Sequence, residues 1–216
     1  MKAFQRVTMA PGNSILVIVD VENEFCKPGG AFYRPENGPL VAGVIASIRG
    51  LLEKARSAGI PTIYIQSVRT GQEAEMKLFG IQPHLMIDTW ASEIVDEVKP
   101  REGDVVVQKF SHDPFFRTRL DDVLRKIVPD PARCMALITG GAINVCVYHT
   151  ILGFYLRNYW TVVVEDGVYY SLPKGKELAL EMLGWRAYPN VFYTRSGLVN
   201  VSSTRSTAAP LLVPGT

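Results

Sequence analysis

Cysteine and histidine are scarce in this chain, three of each among 216 residues, and neither is clustered. The thiols Cys26, Cys134 and Cys146 are odd in number. The chain also opens without a charged region followed by an apolar stretch and a cleavage site, so free thiols in a reducing compartment are expected, not a disulfide framework. Long apolar runs are missing as well. The run ILVIV at 15–19 falls far short of the ~20 residues that a membrane-spanning helix needs. Nor does one sign of charge dominate: 23 Lys and Arg against 21 Asp and Glu leave a scattered net charge of +2, which argues against nucleic acid or an anionic membrane as partner. No internal repeat and no linker divide the sequence. The expectation is a cytoplasmic protein.

What is present is an alternation of strand-like and helix-like segments. With 47% hydrophobic residues the chain can bury one substantial core, read here as a single domain over 1–200 with an irregular tail at 201–216. After a polar lead-in at 1–13, β-branched or apolar runs predict strands at 15–19, 61–66, 104–108, 134–138, 161–165 and 191–193. Between them, helical spacing predicts helices at 40–57, 117–128, 144–158 and 174–187, with a short one at 73–79 inside a long loop. Gly, Pro and Asn make 28–39 a loop. Such alternation specifies a three-layer α/β/α fold with a six-stranded, mainly parallel, Rossmann-like sheet. Ligands in these folds bind at the carboxyl ends of the strands, so strand-end residues are the ones to inspect.

The most informative stretch is LITGGAINVCVYHT at 137–150: a buried strand, a glycine turn, and a helix whose first turn carries Cys146. A helix N-terminus has unpaired N–H groups and a partial positive charge, which favour a thiolate and can hold an oxyanion. Alone, Cys146 reads first as an inert core thiol. The first strand, however, ends in Asp20 and the third in Lys109, so one acid, one base and one nucleophile fall at the same sheet edge.

Three segments carry a resemblance to a known family: ILVIVDVENEF, EIVDEVKPREGDVVVQKFSHDPFFRTRLDDVL and ITGGAINVCVYHT, in that order, within 14–167. They resemble the isochorismatase-like cysteine hydrolases, a superfamily that includes nicotinamidases and N-carbamoyl or ureido amidohydrolases. The resemblance implies strand order 3-2-1-4-5-6 and a catalytic Asp20, Lys109 and Cys146. It also implies a cis peptide at Gly141–Ala142 and an oxyanion hole from the Ala142 and Cys146 N–H groups. Where the family commonly has a branched residue after the first glycine of the turn, this chain has Gly141. Metal-dependent nicotinamidases carry an Asp-x-His pair and a further His before the Lys strand; only His84 lies in that interval, so no metal and no other cofactor is implied. His112 reads as a loop residue near the site and His149 as structural.

The implied chemistry is hydrolysis of a C–N bond in a small amide, carbamoyl or ureido compound through a Cys146 thioester, with Asp20 moving the protons. Nicotinamide is the alternative substrate, and a non-catalytic partner-binding relative the alternative function. Phe25, Phe115 and Phe116 either wall the cleft or pack loop against sheet, and Gln66 is a candidate for binding a substrate amide. Arg69, just beyond it, is placed to meet a carboxylate but reads first as an exposed loop residue. The aromatic segment GFYLRNYW at 153–160, with Tyr169 and Tyr170, either fills the core or forms the contacts of the homodimer or homotetramer that the resemblance implies. A dinucleotide-binding module is disfavoured, because Asp20, Glu22 and Glu24 follow the first strand where a phosphate would bind.

Overall fold

Six parallel strands form the central sheet, in the order β4-β3-β2-β5-β6-β7. They are β2 (Ser14–Val19), β3 (Thr62–Ser67), β4 (Val105–Lys109), β5 (Met135–Gly140), β6 (Trp160–Val168) and β7 (Val191–Thr194). The computed structural model describes residues 3–215. Counted without the short leading strand β1, this is the expected order 3-2-1-4-5-6. Neighbours β2 and β5 run in register from Ser14↔Met135 to Val19↔Gly140, which sets the ends of these two strands side by side.

The helices are α1 (Asn23–Cys26), α2 (Gly38–Ser57), α3 (Ala74–Phe79), α4 (Leu120–Ile127), α5 (Cys146–Leu156) and α6 (Pro173–Leu183). Alternate residues of β2 serve opposite faces, as strand pleating requires. Leu16 and Ile18 pack with Val44, Ile48, Leu51 and Leu52 of α2. Ile15, Val17 and Val19 pack with Leu124 of α4, Ile151 and Phe154 of α5, and Leu180 of α6. Both faces of β2 are therefore buried, which is why the strand reads as an unbroken apolar run. No helix among the described residues is long and apolar enough to cross a membrane.

Two expectations are corrected at the termini. The lead-in at 1–13 contains β1 (Gln5–Met9), and the tail at 201–216 is not irregular throughout, since β9 (Leu212–Pro214) lies in it. A second sheet has the order β8-β1-β9, with β8 (Val199–Val201) parallel and β9 antiparallel to β1. Val7 and Met9 of β1 bury their side chains under the α2 layer. Positions 1, 2 and 216 of these segments lie outside the described residues. Of the two roles open to the aromatic segment, Phe154 and Tyr159 take the core, where they are buried, and the Trp160 ring stacks on Phe192.

Candidate active site

Asp20 follows β2, Lys109 ends β4, and Cys146 opens α5 after the turn from β5. Strand β3 runs between β2 and β4, so Lys109 must reach across it to meet Asp20. The residue beneath that reach is Ser67, registered opposite Lys109 and small enough to admit it. The Lys109 ammonium has three N–H donors. They go to Ser67 Oγ at 2.6 Å, the Ser111 carbonyl at 3.1 Å and Cys146 Sγ at 3.3 Å. Asp20 Oδ2 lies 2.9 Å from Nζ as an ion pair, but no donor is left to form an aligned hydrogen bond with it. Asp20 Oδ1 accepts from Ser67 Oγ at 3.0 Å. Asp20 thus keeps one oxygen able to take a proton.

The backbone around these groups is tightly specified. Asp20 has φ +47, a left-handed conformation that costs a non-glycine residue about 1 kcal/mol. Its N–H donates to Ile65 O at 2.9 Å and its carbonyl accepts from Tyr169 Oη at 2.5 Å, which together hold it there. Gly140 has φ +100, and a Cβ there would lie 1.9 Å from Val19 O. The Gly141–Ala142 peptide is cis. Space that a side chain on Gly141 would need is filled by the Tyr169 ring, 1.9 Å from the position of such a Cβ. Here the missing branched residue and the tyrosine are two halves of one packing solution. Val145 and Val147 N–H both donate to Ala142 O, while the Ala142 and Cys146 N–H groups make no hydrogen bond among the described residues.

Burial dominates the electrostatics. It pushes the Cys146 thiol up, the Asp20 carboxylate pushes it further, and Lys109 opposes both without prevailing. The resting group is a thiol, and Lys109 is the neighbour that favours its ionised form. Burial also pulls the Lys109 ammonium down, but Asp20 and then Cys146 outweigh it, and its pKa is raised. Glu22 is held well above the carboxylate range, first by burial and then by Asp20.

Cys146 opens into a cavity of about 270 Å³ that Asp20, Phe25 and Tyr169 also line. Of the anticipated pocket residues only Phe25 is there, its ring stacked 5.8 Å from Phe32. Gln66 points to the opposite face of β3 from Ser67 and donates to Ser92 O at 2.7 Å. Phe115 packs edge-on against Phe154 and lies under the Arg157 guanidinium, 3.7 Å from its ring centre. Phe116 is exposed beside Arg117. The turn after β4 folds the Phe115 ring onto α5 and leaves Phe116 in solvent, so neither ring lines the cavity.

Arg69 is not an exposed loop residue: it is 3% exposed, pairs with Glu75 at 2.7 Å and lines the cavity. Arg34, Asn37, Ser67, His84, His112 and Ser171 also line it, polar residues that sequence patterns did not single out as binding groups. His112 Nδ1 lies 3.4 Å from Cys146 Sγ. His84 bonds Gln82 O at 2.9 Å, and among the described residues no three His, Cys, Asp or Glu side chains gather as a metal-ligand set.

An acid, an ammonium and a thiol gathered over a cavity at the carboxyl edge of a doubly wound sheet define a cysteine hydrolase of the α/β class. The chain belongs to the isochorismatase family, whose Isochorismatase domain model matches residues 14–189. It is similar to the ureidoacrylate amidohydrolase RutB of Caulobacter segnis, 31% identical over 192 residues that span 78% of this chain and 77% of that protein. It is also similar to the crystal structure of N-carbamoylsarcosine amidase from Thermoplasma acidophilum, with TM-score 0.69 and 29% identity over 85% of this chain and 96% of that one. Nicotinamidase PncA from Bacillus subtilis shares the fold at TM-score 0.71 and 18% identity, over 85% of this chain and 99% of that one.

Proposed function

We propose that the chain is a cysteine amidohydrolase that opens the C–N bond of a small carbamoyl or ureido acid, with Asp20, Lys109 and Cys146 as its catalytic residues. The observation that carries this reading is the Lys109 ammonium held between the Asp20 carboxylate at 2.9 Å and the Cys146 sulfur at 3.3 Å on a cavity wall. Because burial keeps the thiol protonated, Sγ attacks the carbonyl carbon as Asp20 takes the S–H proton. The unbonded Ala142 and Cys146 N–H groups receive the oxyanion, a contribution of about 3 kcal/mol per donor. Asp20 then gives its proton to the nitrogen as the C–N bond breaks, leaving a thioester on Cys146 that water hydrolyses.

The relatives named for ureidoacrylate and N-carbamoylsarcosine support a ureido or carbamoyl acid as substrate. The cavity supports an anion: Arg34 on its wall has no carboxylate partner among the described residues, and its Nη1 donates only to Ala31 O and Tyr33 O. A small cavity suits a substrate of this size and not a peptide. The protein is read as cytoplasmic and as a homodimer or homotetramer.

Nicotinamide remains the second reading, because the nicotinamidase fold is shared. Specificity constants for ureidoacrylate, N-carbamoylsarcosine and nicotinamide decide between them. The ureido or carbamoyl acids are expected to exceed nicotinamide by at least about tenfold; cleavage of nicotinamide alone would reverse the assignment.

A further inference from the structure

We propose that His112 is the base of the second half-reaction: it takes a proton from the water that attacks the Cys146 thioester and returns it to the departing sulfur. The inference rests on the cysteine hydrolase reading above. His112 follows β4, three residues beyond Lys109, and its Nδ1 lies 3.4 Å from Cys146 Sγ. A nitrogen at that distance is within one water of an acyl carbon attached to the sulfur. The imidazole is exposed and lines the cavity, so it meets water as soon as the leaving amine has gone.

Asp20 is less suited to this step. It is 1% exposed, with Oδ1 accepting from Ser67 Oγ and Oδ2 paired with the Lys109 ammonium, whereas the His112 imidazole is exposed on the cavity wall. Its place is beside the thiol, in the first half-reaction. In the second, a bond forms between water oxygen and the acyl carbon while one water proton passes to His112. The C–S bond then breaks with its electron pair on sulfur, and the same proton passes from His112 to that sulfur. No oxidant or further reactant is involved, and the site returns to its resting thiol.

The surroundings keep the imidazole available as a base. Burial of part of the ring, then Lys109, then His149 on α5 hold its pKa below the ordinary 6.5; Arg69 after β3 adds to this, and only Glu75 on α3 opposes it. The His149 ring centre lies 5.9 Å away, and its Nδ1 bonds the Val145 carbonyl at 2.8 Å. His112 is therefore neutral at neutral pH.

The test uses p-nitrophenyl acetate, an activated ester that acylates nucleophilic thiols, with Cys146→Ala as background. Nitrophenolate release reports acetylation, and intact mass reports retention of the acetyl group on Cys146. His112→Gln is expected to form acetyl-Cys146 within about threefold of the wild-type rate and to lose it roughly 10²-fold more slowly. Wild-type deacetylation should rise with pH to a plateau set by one group titrating below 6.5, while the variant lacks that rise. His112→Phe, which keeps ring volume, should behave like His112→Gln. Loss of acetyl at the wild-type rate in both variants overturns the proposal. So does a slowed nitrophenolate burst with no retained acetyl, because that places His112 in the first half-reaction. A wild-type protein that sheds acetyl through His112 yet cleaves no ureido acid or amide supports His112 and removes the substrate reading. Absence of acetylation on Cys146 overturns both.

Discussion

Glu22 has one carboxyl oxygen bonded to the Ser67 N–H at 2.7 Å and the other without a hydrogen-bond partner, in a fully buried setting. Its folded-state pKa is raised, by burial first and the Asp20 carboxylate second, against Lys109. Below its ordinary pKa of 4.5, folded and unfolded chains both keep the proton and the group costs nothing. Above that value the unfolded chain ionises first, so stability falls by about 1.4 kcal/mol per pH unit until the folded-state pKa is reached. Glu22→Gln removes this titration. Thermal melts from about pH 4 to about pH 8 should therefore show the variant gaining on the wild type as pH rises, whereas a constant difference would mean that Glu22 is ionised in the fold. Ser67→Ala takes away the hydroxyl that bridges Asp20 and Lys109; kcat is expected to drop about tenfold with KM little changed, as measured by steady-state kinetics. Asp20, Lys109 and Cys146 were legible because each ends or follows a strand in a recognisable segment. His112 was legible as a loop residue near the site, but its contact with the thiol was not, and Ser67 and Arg69 were not legible, because only the spatial neighbour gives them meaning: a serine across from a lysine, an arginine with its glutamate.

At the scale of the element, the turn from β5 to α5 and the segment after β6 form one unit. Tyr169 fills the space beside Gly141 and bonds Asp20, so the turn, the ring and the acid hold one another. Gly141→Val is expected to destabilise the protein by roughly 2–4 kcal/mol through collision with the ring. Combining it with Tyr169→Ala should cost less than the sum of the two single changes. Urea unfolding of all four proteins measures that coupling, and strict additivity would mean that the ring does not occupy the site. The central strands were legible for a simple reason: β2 and β5 are buried along their whole length and β6 over residues 161–164, so each shows a run of apolar residues. β1, β8 and β9 were not. QRVTM is a five-residue strand whose partners lie about 190 to about 210 residues away, and VNV and LVP have three residues each, too few for a period to show. Helix α4 is shorter than its apolar pattern, since Arg117, with φ +55, precedes it and keeps the chain out of helix until Leu120.

Across the whole molecule, the aromatic segment once open to either role supplies the core more than the surface, which moves the argument for assembly elsewhere. Leu178 and Met182 share one side of α6, and Trp185 lies just beyond its end; all three are more than half exposed. A homodimer or homotetramer that covers this surface is the expectation, and light scattering at micromolar concentration checks it: a monomer would remove the idea. The account itself stands on one chemical claim, that a C–N bond is broken at Cys146. Its most direct test is ammonia release from ureidoacrylate by the wild type and Cys146→Ala at equal concentration, with thermal melts to verify that the variant is folded. The account predicts steady release by the wild type and a loss of at least about 10⁴-fold in a folded Cys146→Ala protein. Release by Cys146→Ala at a comparable rate would contradict it.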